Sequence, residues 1–318
     1  MKLVVTGGAG FLGARLIGTL LSQGAAPGFP DFSSIVSVDL APCPVTDPRV
    51  RSVIGNIADR DFIDGVVTPD VAAVYHLAAV VSGQAEADFD LGMAVNLNGT
   101  RTLLEACRRL PEPPRFVFAS SLAVFGGKLP EVVPDDIAVM PQSSYGAQKA
   151  IGELLVNDFS RKGFVDGRVC RLPTIVVRPG KPNAAASSFA SGIIREPLAG
   201  IESVCPVPAD TRLWISSPST VIANLIHAGS VEGGRFDDHR TVNLPGLSVT
   251  VAEMLDSLER VGGTEARVRV SFREDERIKN IVLSWPGDFD VSRSLSLGFE
   301  RDGDFDTVVR SHLGDHGL

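Results

Sequence analysis

Lys2-Leu3-Val4-Val5-Thr6-Gly7-Gly8-Ala9-Gly10-Phe11-Leu12-Gly13 stands at the start of the chain, and its reading decides the fold. Lys2–Val5 is a short apolar run with strand character, and from Phe11 to Gln23 apolar residues recur at helical spacing. The glycines between them fit GxxGxxG through Gly7, Gly10 and Gly13, and GxGxxG through Gly8. Such a turn, between a strand and a helix N-terminus, lets backbone N–H groups approach a pyrophosphate. Gly7, Gly10, Phe11, Leu12 and Gly13 are therefore expected to bind a dinucleotide. A glycine triplet by itself is equally explained by a structural turn; the strand before it and the amphipathic helix after it favour the nucleotide.

Further along, strand-like runs alternate with helical patterns. Leu3–Val5, Ile35–Val38, Val50–Ile54, Val71–Leu77, Phe116–Ala119 and Arg168–Val177 read as strands. Helices are predicted over Phe11–Gln23, Asp61–Val67, Asp90–Leu110 and Tyr145–Lys162, the last capped by Ser143 or Ser144 and stopped by Gly163. Alternation of this kind implies a parallel sheet covered on both faces. The expected class is α/β: a Rossmann-type, doubly wound parallel sheet with a smaller C-terminal substrate-binding domain. Arg178-Pro179-Gly180-Lys181-Pro182-Asn183 interrupts the pattern. It divides an expected dinucleotide-binding domain over 1–180 from a mostly substrate-binding domain over 181–318, with some later segments returning to the first.

The 318 residues are 44% hydrophobic, enough to bury a large core, and carry a formal net charge of −8 with no basic cluster. Nucleic acid is accordingly not an expected partner. The apolar run from Phe11 is broken by Arg15 and too short to span a bilayer, so no membrane association is expected. Cys43, Cys107, Cys170 and Cys205 are widely spaced, without the pairing of a zinc site or a disulfide framework. Reduced thiols in a cytoplasmic protein, with no metal, are the expectation. His76 and His227 lie in apolar runs and read as packed or supporting residues. The N-terminus lacks the layout of a signal peptide.

Asp39 ends the second strand, where a carboxylate can bond the adenosine ribose diol and repel a 2′-phosphate, which favours NAD over NADP. Ala25–Ser33, rich in Pro and Gly, lengthens the gap that precedes it. Downstream lie Ser120-Ser121 and Tyr145-Gly-Ala-Gln-Lys149. Four residues apart on a helix, Tyr145 and Lys149 project from one face. A phenol with a reference pKa of about 10 is a poor base at neutral pH, and a nearby ammonium favours its ionised form. Hydroxyl, phenol and ammonium together read as machinery for moving a proton on or off a sugar-like hydroxyl.

As a set, these residues resemble the extended short-chain dehydrogenase/reductase family, which includes nucleotide-sugar epimerases and dehydratases. The resemblance rests on Thr6–Gly13, Asp39, His76-Leu77-Ala78-Ala79, Asn96, Ser120-Ser121, Val124-Phe125-Gly126, Tyr145 with Lys149, and Arg171-Leu172-Pro173. It implies NAD as cofactor, with Leu77, Ala78, Ala79, Asn96, Ser120 and Pro173 along the cofactor channel; Ser120 also reads as a serine that ends a buried strand and supports Ser121. Asn56-Ile57 takes the place of the pair that holds adenine, and Phe125 stands where many relatives have Tyr. By the same resemblance Ser121, Tyr145 and Lys149 are the catalytic set, with Tyr145 as general base and Lys149 on the nicotinamide ribose. A homodimer through a four-helix interface is implied by analogy.

Ser82-Gly83-Gln84-Ala85-Glu86, the Arg171–Leu198 stretch and Trp214-Ile215-Ser216-Ser217-Pro218 further resemble the D-erythronate dehydrogenase subgroup. That implies NAD-dependent oxidation of D-erythronate at C2 to 2-dehydro-D-erythronate. For a small acidic polyol, Arg178, Lys181, Arg195 and Arg212 are candidate carboxylate partners, Arg178 and Arg195 first, since arginine suits bidentate binding. Ser82, Ser121, Thr174 and Ser188 are candidates to read its hydroxyls. Two alternatives share the fold: a nucleotide-sugar epimerase or dehydratase, and a non-catalytic NAD-binding sensor. Against the first, Arg212–Pro218 lacks the acidic residue usual near a nucleotide diphosphate; against the second, Tyr145 and Lys149 are both present.

Overall fold

Apolar residues at one face of each early helix and along each early strand set the layering. The computed structural model describes residues 1–23, 27–180, 185–237 and 239–316; Lys181 lies outside them. Helix α1 (Phe11–Gln23) buries Gly13, Leu16, Ile17 and Leu20 along one stripe. Each large apolar side chain buried this way contributes roughly 1.5–3 kcal/mol. The strands beneath are β1 (Lys2–Thr6), β2 (Ser34–Asp39), β3 (Val50–Ile54), β4 (Val71–His76), β5 (Arg115–Ser121) and β6 (Asp166–Leu172). With a later strand, Thr241–Asn243, they form a seven-stranded sheet in the order Thr241–Asn243, β6, β5, β4, β1, β2, β3. All its pairings are parallel.

Strand order reverses at β1: the chain moves outward through β2 and β3, then returns to β4 on the other side. At such a switch point the crevice beyond the strand ends takes the ligand. Helix α2 (Arg60–Val66) is capped by Asp59, and short helices α3 (Ser82–Ala87) and α4 (Phe89–Gly92) follow. A π-helical turn, Met93–Gly99, runs on into α5 (Thr100–Cys107), so the predicted helix over Asp90–Leu110 exists with a widened turn inside it. Helix α6 (Ser144–Arg161) is capped by the Ser143 side chain, which accepts from the Gly146 amide at 3.2 Å.

The strand expected over Arg168–Val177 is in fact two strands. β6 stops at Leu172, and β7 (Thr174–Ile175) belongs to another sheet. Pro173 lies between them and has no N–H to continue a ladder. With β8 (Ser203–Cys205), β9 (Arg212–Ser216), β11 (Leu247–Thr250) and β12 (Val270–Phe272), two smaller sheets form, β11-β9-β7 and β12-β8, while Thr241–Asn243 is β10. A second core gathers there, including Ile193 and Ile194 of α7 (Ser188–Leu198) and Leu213 and Ile215 of β9. α8 (Pro218–Ser230) and β10 instead return to the large sheet, where Leu225 and Val242 join the core beneath α1. No helix among the described residues is long and apolar enough to cross a membrane.

His76, at the end of β4, is fully buried between two hydroxyls. Its Nδ1 lies 2.7 Å from Thr6 Oγ1 and its Nε2 2.8 Å from Thr100 Oγ1. Thr100 gives its proton to the Asn96 carbonyl at 2.6 Å. It therefore accepts from Nε2–H, while Nδ1 accepts from Thr6. Burial, and then the charge of Lys149, push the imidazole pKa down to about 3. The ordinary value is about 6.5, so below that the unfolded chain binds a proton that the folded chain refuses, and stability falls as pH falls. Between pH 7 and pH 5 this residue alone removes about 2 kcal/mol. Urea unfolding across that range is expected to show the loss in the native sequence and to show it reduced in His76→Gln; equal slopes would contradict the assignment.

Candidate active site

The ends of β1, β4, β5 and β6 open onto one cleft of about 290 Å³. Gly7, Gly10, Phe11, Leu12 and Gly13 form its first wall, Leu77 and Ala79 its second, and Ser120, Ser121 and Pro173 its floor. The glycine turn suits a dinucleotide phosphate because it has no room for side chains. Gly7 has φ +73°, and a Cβ there would stand 2.8 Å from the Ala78 amide nitrogen. A Cβ on Gly13 would lie 2.1 Å from the Gly7 carbonyl oxygen. The backbone at Gly7 and Gly13 is thus left uncovered, and the N-terminal end of α1, where a helix has N–H groups to offer, lies at the wall.

Asp39 ends β2 and accepts from the Ala9 amide at 3.0 Å and the Leu40 amide at 2.7 Å. Its carboxylate is thereby tied to the glycine turn, with lone pairs left for a diol. Beyond β3, exposed Asn56 accepts from the Ala58 amide at 2.9 Å, and Ile57 is buried against Gly99. Asn96 is not at the cleft wall but behind it. Its amide bonds Val80 N at 2.8 Å and Val80 O at 3.0 Å, and donates to Gln148 Oε1 at 2.7 Å. Ser120 is also turned away, donating to the Glu153 carboxylate, although its backbone reaches the floor.

Ser121, Tyr145 and Lys149 line the cleft together, the last two as their helical spacing predicted and Ser121 as the family resemblance implied. Ser121 Oγ caps the short turn after β5 by accepting from the Ala123 amide at 3.2 Å, and it lines the cleft beside the Tyr145 phenol, whose pKa it pulls down. Burial pushes that phenol up to about 12; the Ser121 hydroxyl and then the charge of Arg178 pull it down. Lys149 Nζ donates to the Ala119 carbonyl at 2.8 Å and lies 5.8 Å from the centre of the Tyr145 ring. Burial pushes the lysine down to about 7 against the pull of Glu153. Arg178, a residue the sequence had suggested only for substrate, is thus a cation that acts on the phenol.

Of the residues expected to meet substrate, Ser82, Ser121, Thr174 and Arg178 line the cleft. Ser187 lines it where Ser188, the first residue of α7, was expected. Arg178 Nη2 donates to Ser187 Oγ at 3.0 Å, and burial followed by the like charge of Arg195 lowers its pKa. Arg195 itself stands behind, donating to the Arg178 carbonyl at 2.6 Å and paired with Glu196. Arg212 is exposed on β9, 3.3 Å from Ser248 Oγ. Trp285, which no sequence motif marks, lines the cleft from a bend that packs against the second core. Among the described residues no cluster of His, Cys, Asp or Glu could hold a metal ion.

Residues 3–210 match the model of the NAD dependent epimerase/dehydratase family. D-erythronate dehydrogenase of Cupriavidus necator is 54% identical, in an alignment covering all of this chain and 99% of that protein. D-erythronate dehydrogenase of Haemophilus influenzae is 49% identical over 98% of this chain and 99% of its own. Among solved structures, a nucleoside-diphosphate-sugar epimerase from Agrobacterium tumefaciens superposes with a TM-score of 0.94 at 38% identity, covering 99% of this chain and 94% of that one. The chain is thus an enzyme with a site for an NAD-type cofactor, and it belongs to the NAD dependent epimerase/dehydratase family, the extended short-chain dehydrogenases/reductases.

Proposed function

We propose that the protein oxidises D-erythronate at C2 to 2-dehydro-D-erythronate, with NAD rather than NADP as cofactor. The observation that carries this reading is the placing of Arg178 in the cleft wall beside the Ser121–Tyr145 pair. A carboxylate bound to the guanidinium brings the adjacent C2 hydroxyl towards the phenol. Full-length relatives of matching name support the substrate. Asp39, with its carboxylate at the end of β2, favours a free 2′-hydroxyl over a 2′-phosphate.

In this reading Tyr145 takes the proton from the C2 hydroxyl, and Ser121 holds that oxygen by a hydrogen bond as it gains carbonyl character. Lys149 and Asp39 would hold the two riboses of the dinucleotide, and the glycine turn its pyrophosphate. Bound in this cleft, the cofactor supplies the acceptor for the C2 hydride. Ser82, Thr174 and Ser187 offer hydroxyls to the remaining polyol. Trp285 narrows the outer end, which suits a short acid sugar. A homodimer through α6 is part of the proposal, since that helix leaves Ile151 40% and Leu154 67% exposed. So is a cytoplasmic location, consistent with four cysteines in the thiol form.

The likeness to an Agrobacterium sugar-nucleotide epimerase supports a second reading, in which hydride is removed and returned. The exposed position of Arg212 favours the first, because the stretch compared with the diphosphate region, already without its acidic residue, starts with an arginine that does not line the cleft. Following NADH absorbance with D-erythronate separates the two. Net NADH with NAD is expected, much less NADPH with NADP, and a loss of about 10²–10⁴-fold in turnover in Tyr145→Phe. Isomerisation of a nucleotide sugar without net NADH would establish the second reading instead.

Arg178→Gln is expected to act twice. Losing a charge-assisted carboxylate contact raises KM by roughly ten- to a hundredfold. Losing a cation that pulls the phenol down also raises the Tyr145 pKa. The rise of kcat/KM with pH, which follows ionisation of the phenol in the free enzyme, is therefore displaced to higher pH. Steady-state kinetics across a pH series measures both; a KM change without displacement would remove Arg178 from the proton-transfer step.

A further inference from the structure

Beneath the cleft floor lies a buried carboxylate that the chemistry above does not use. Glu153 stands one helical turn beyond Lys149 on α6 and is 3% exposed. Arg171 of β6 donates to it from Nε, at 3.0 Å to one carboxylate oxygen and 3.1 Å to the other, and from Nη2 at 2.7 Å. The Ser120 hydroxyl of β5 also donates to it. The same guanidinium reaches Asn243 Oδ1 on β10 at 3.4 Å and lies 4.7 Å from the centre of the Phe125 ring. One carboxylate therefore joins α6 to the ends of β5 and β6, the strands that end at Ser121 and just before Pro173.

A buried ion pair is a weak source of stability, since apolar residues of equal volume often serve as well or better. Its position gives this one another consequence. Lys149 is 2% exposed and sits between the Ala119 carbonyl and the face of Phe118, 4.6 Å from the ring centre. The titratable groups turned towards it are Glu153 and Tyr145 of its own helix and His76 of β4, while Arg171 of β6 faces Glu153. β5 presents only the Ala119 carbonyl and the Phe118 ring, and α3 sends Glu86 to the Ser144 amide at the other end of α6. His76 and the phenol are both neutral near pH 7. Glu153 is the negative partner.

We propose that Glu153 is a positioning residue for the dehydrogenation: fixed by Arg171 and Ser120, its carboxylate keeps the Lys149 side chain charged and seated on the Ala119 carbonyl. The consequence for catalysis rests on the part given to Lys149 above; the charge state itself does not. Burial, which pushes the ammonium down to about 7, is the effect the carboxylate opposes. In Glu153→Gln the attraction is lost, and Arg171 is left as an unopposed cation nearby. Both changes disfavour the ammonium.

The test is an NMR titration of the full-length protein without dinucleotide, labelled with ¹³C at lysine Cε. The labelled set is small (Lys2, Lys128, Lys149, Lys162, Lys181 and Lys279), and Lys149→Arg identifies the signal. Glu153→Gln is expected to lower the Lys149 midpoint by about one pH unit, a tenfold loss of ammonium above it. Glu153→Asp is expected to restore part of the shift. If the unpaired Arg171 prevents folding, the uncharged pair Glu153→Leu/Arg171→Met keeps the packing. It is expected to show a smaller fall, because a repulsive cation leaves together with the carboxylate. An unmoved midpoint in either folded variant overturns the proposal. Failure of the native protein to oxidise D-erythronate would overturn the substrate reading and leave the titration result standing.

Discussion

The hydrogen-bonded line from Thr6 through His76 and Thr100 to the Asn96 carbonyl is the interaction on which the cleft depends. It joins β1, β4 and the helix that begins at α4, which are the elements on the two sides of the switch point. Only a neutral imidazole can run it, donating at one nitrogen and accepting at the other. Asn96 then holds Val80 from both sides, and Val80 leads directly into α3 and Ser82. The walls are therefore set by groups that never face the cleft. A charged histidine would break the line at Nδ1, where Thr6 donates, and would add a second positive charge beside Lys149.

The same economy governs charge at the floor. Three titratable side chains meet there, and burial drives each towards its neutral form: His76, Tyr145 and Lys149. Neutral groups suit a low-dielectric site, but proton removal requires some charge to be retained. Glu153 opposes the neutralisation of Lys149, and Arg178 opposes the upward drift of the phenol. One acts from beneath, shielded from solvent by Arg171 and Ser120. The other acts from the wall, where a bound carboxylate would partly cancel it. Charge on the lysine is thus a property of the fold, whereas the field on the phenol varies with what occupies the wall.

How much was legible in the sequence follows from how local each signal is. The glycine turn, Asp39, and Tyr145 with Lys149 each depend on one strand end or one helix face, so spacing alone located them. Asn96 carried the right motif and the wrong direction: where a side chain points in a buried network is decided by partners far along the chain, here Gln148, whereas Ser120 turns to Glu153 as a serine ending a buried strand can. Pro173 marked a break that the continuous apolar run obscured, because the residues on both sides are equally suited to strands and only the missing N–H sends them to different sheets. Trp285 was illegible for the opposite reason: its segment has neither periodicity nor motif, and it reaches the cleft only through packing of the second lobe.

For an acidic protein, binding the proposed acid substrate needs a local answer to a global repulsion. The formal net charge of −8 sets a weak field at distance, screened beyond about 8 Å at physiological ionic strength. Inside the cleft the balance is reversed. Arg178 and Lys149 line it, while Glu153 lies beneath the floor, engaged with Arg171, and Asp39 stands at the outer end of the glycine turn with backbone amides on both oxygens. Low-dielectric walls strengthen what remains. A small carboxylate entering past Trp285 would therefore meet a cationic wall, and the negative surface behind it would be largely invisible. Composition told of the surface; only the fold, by turning Glu153 down and Arg178 in, told of the site.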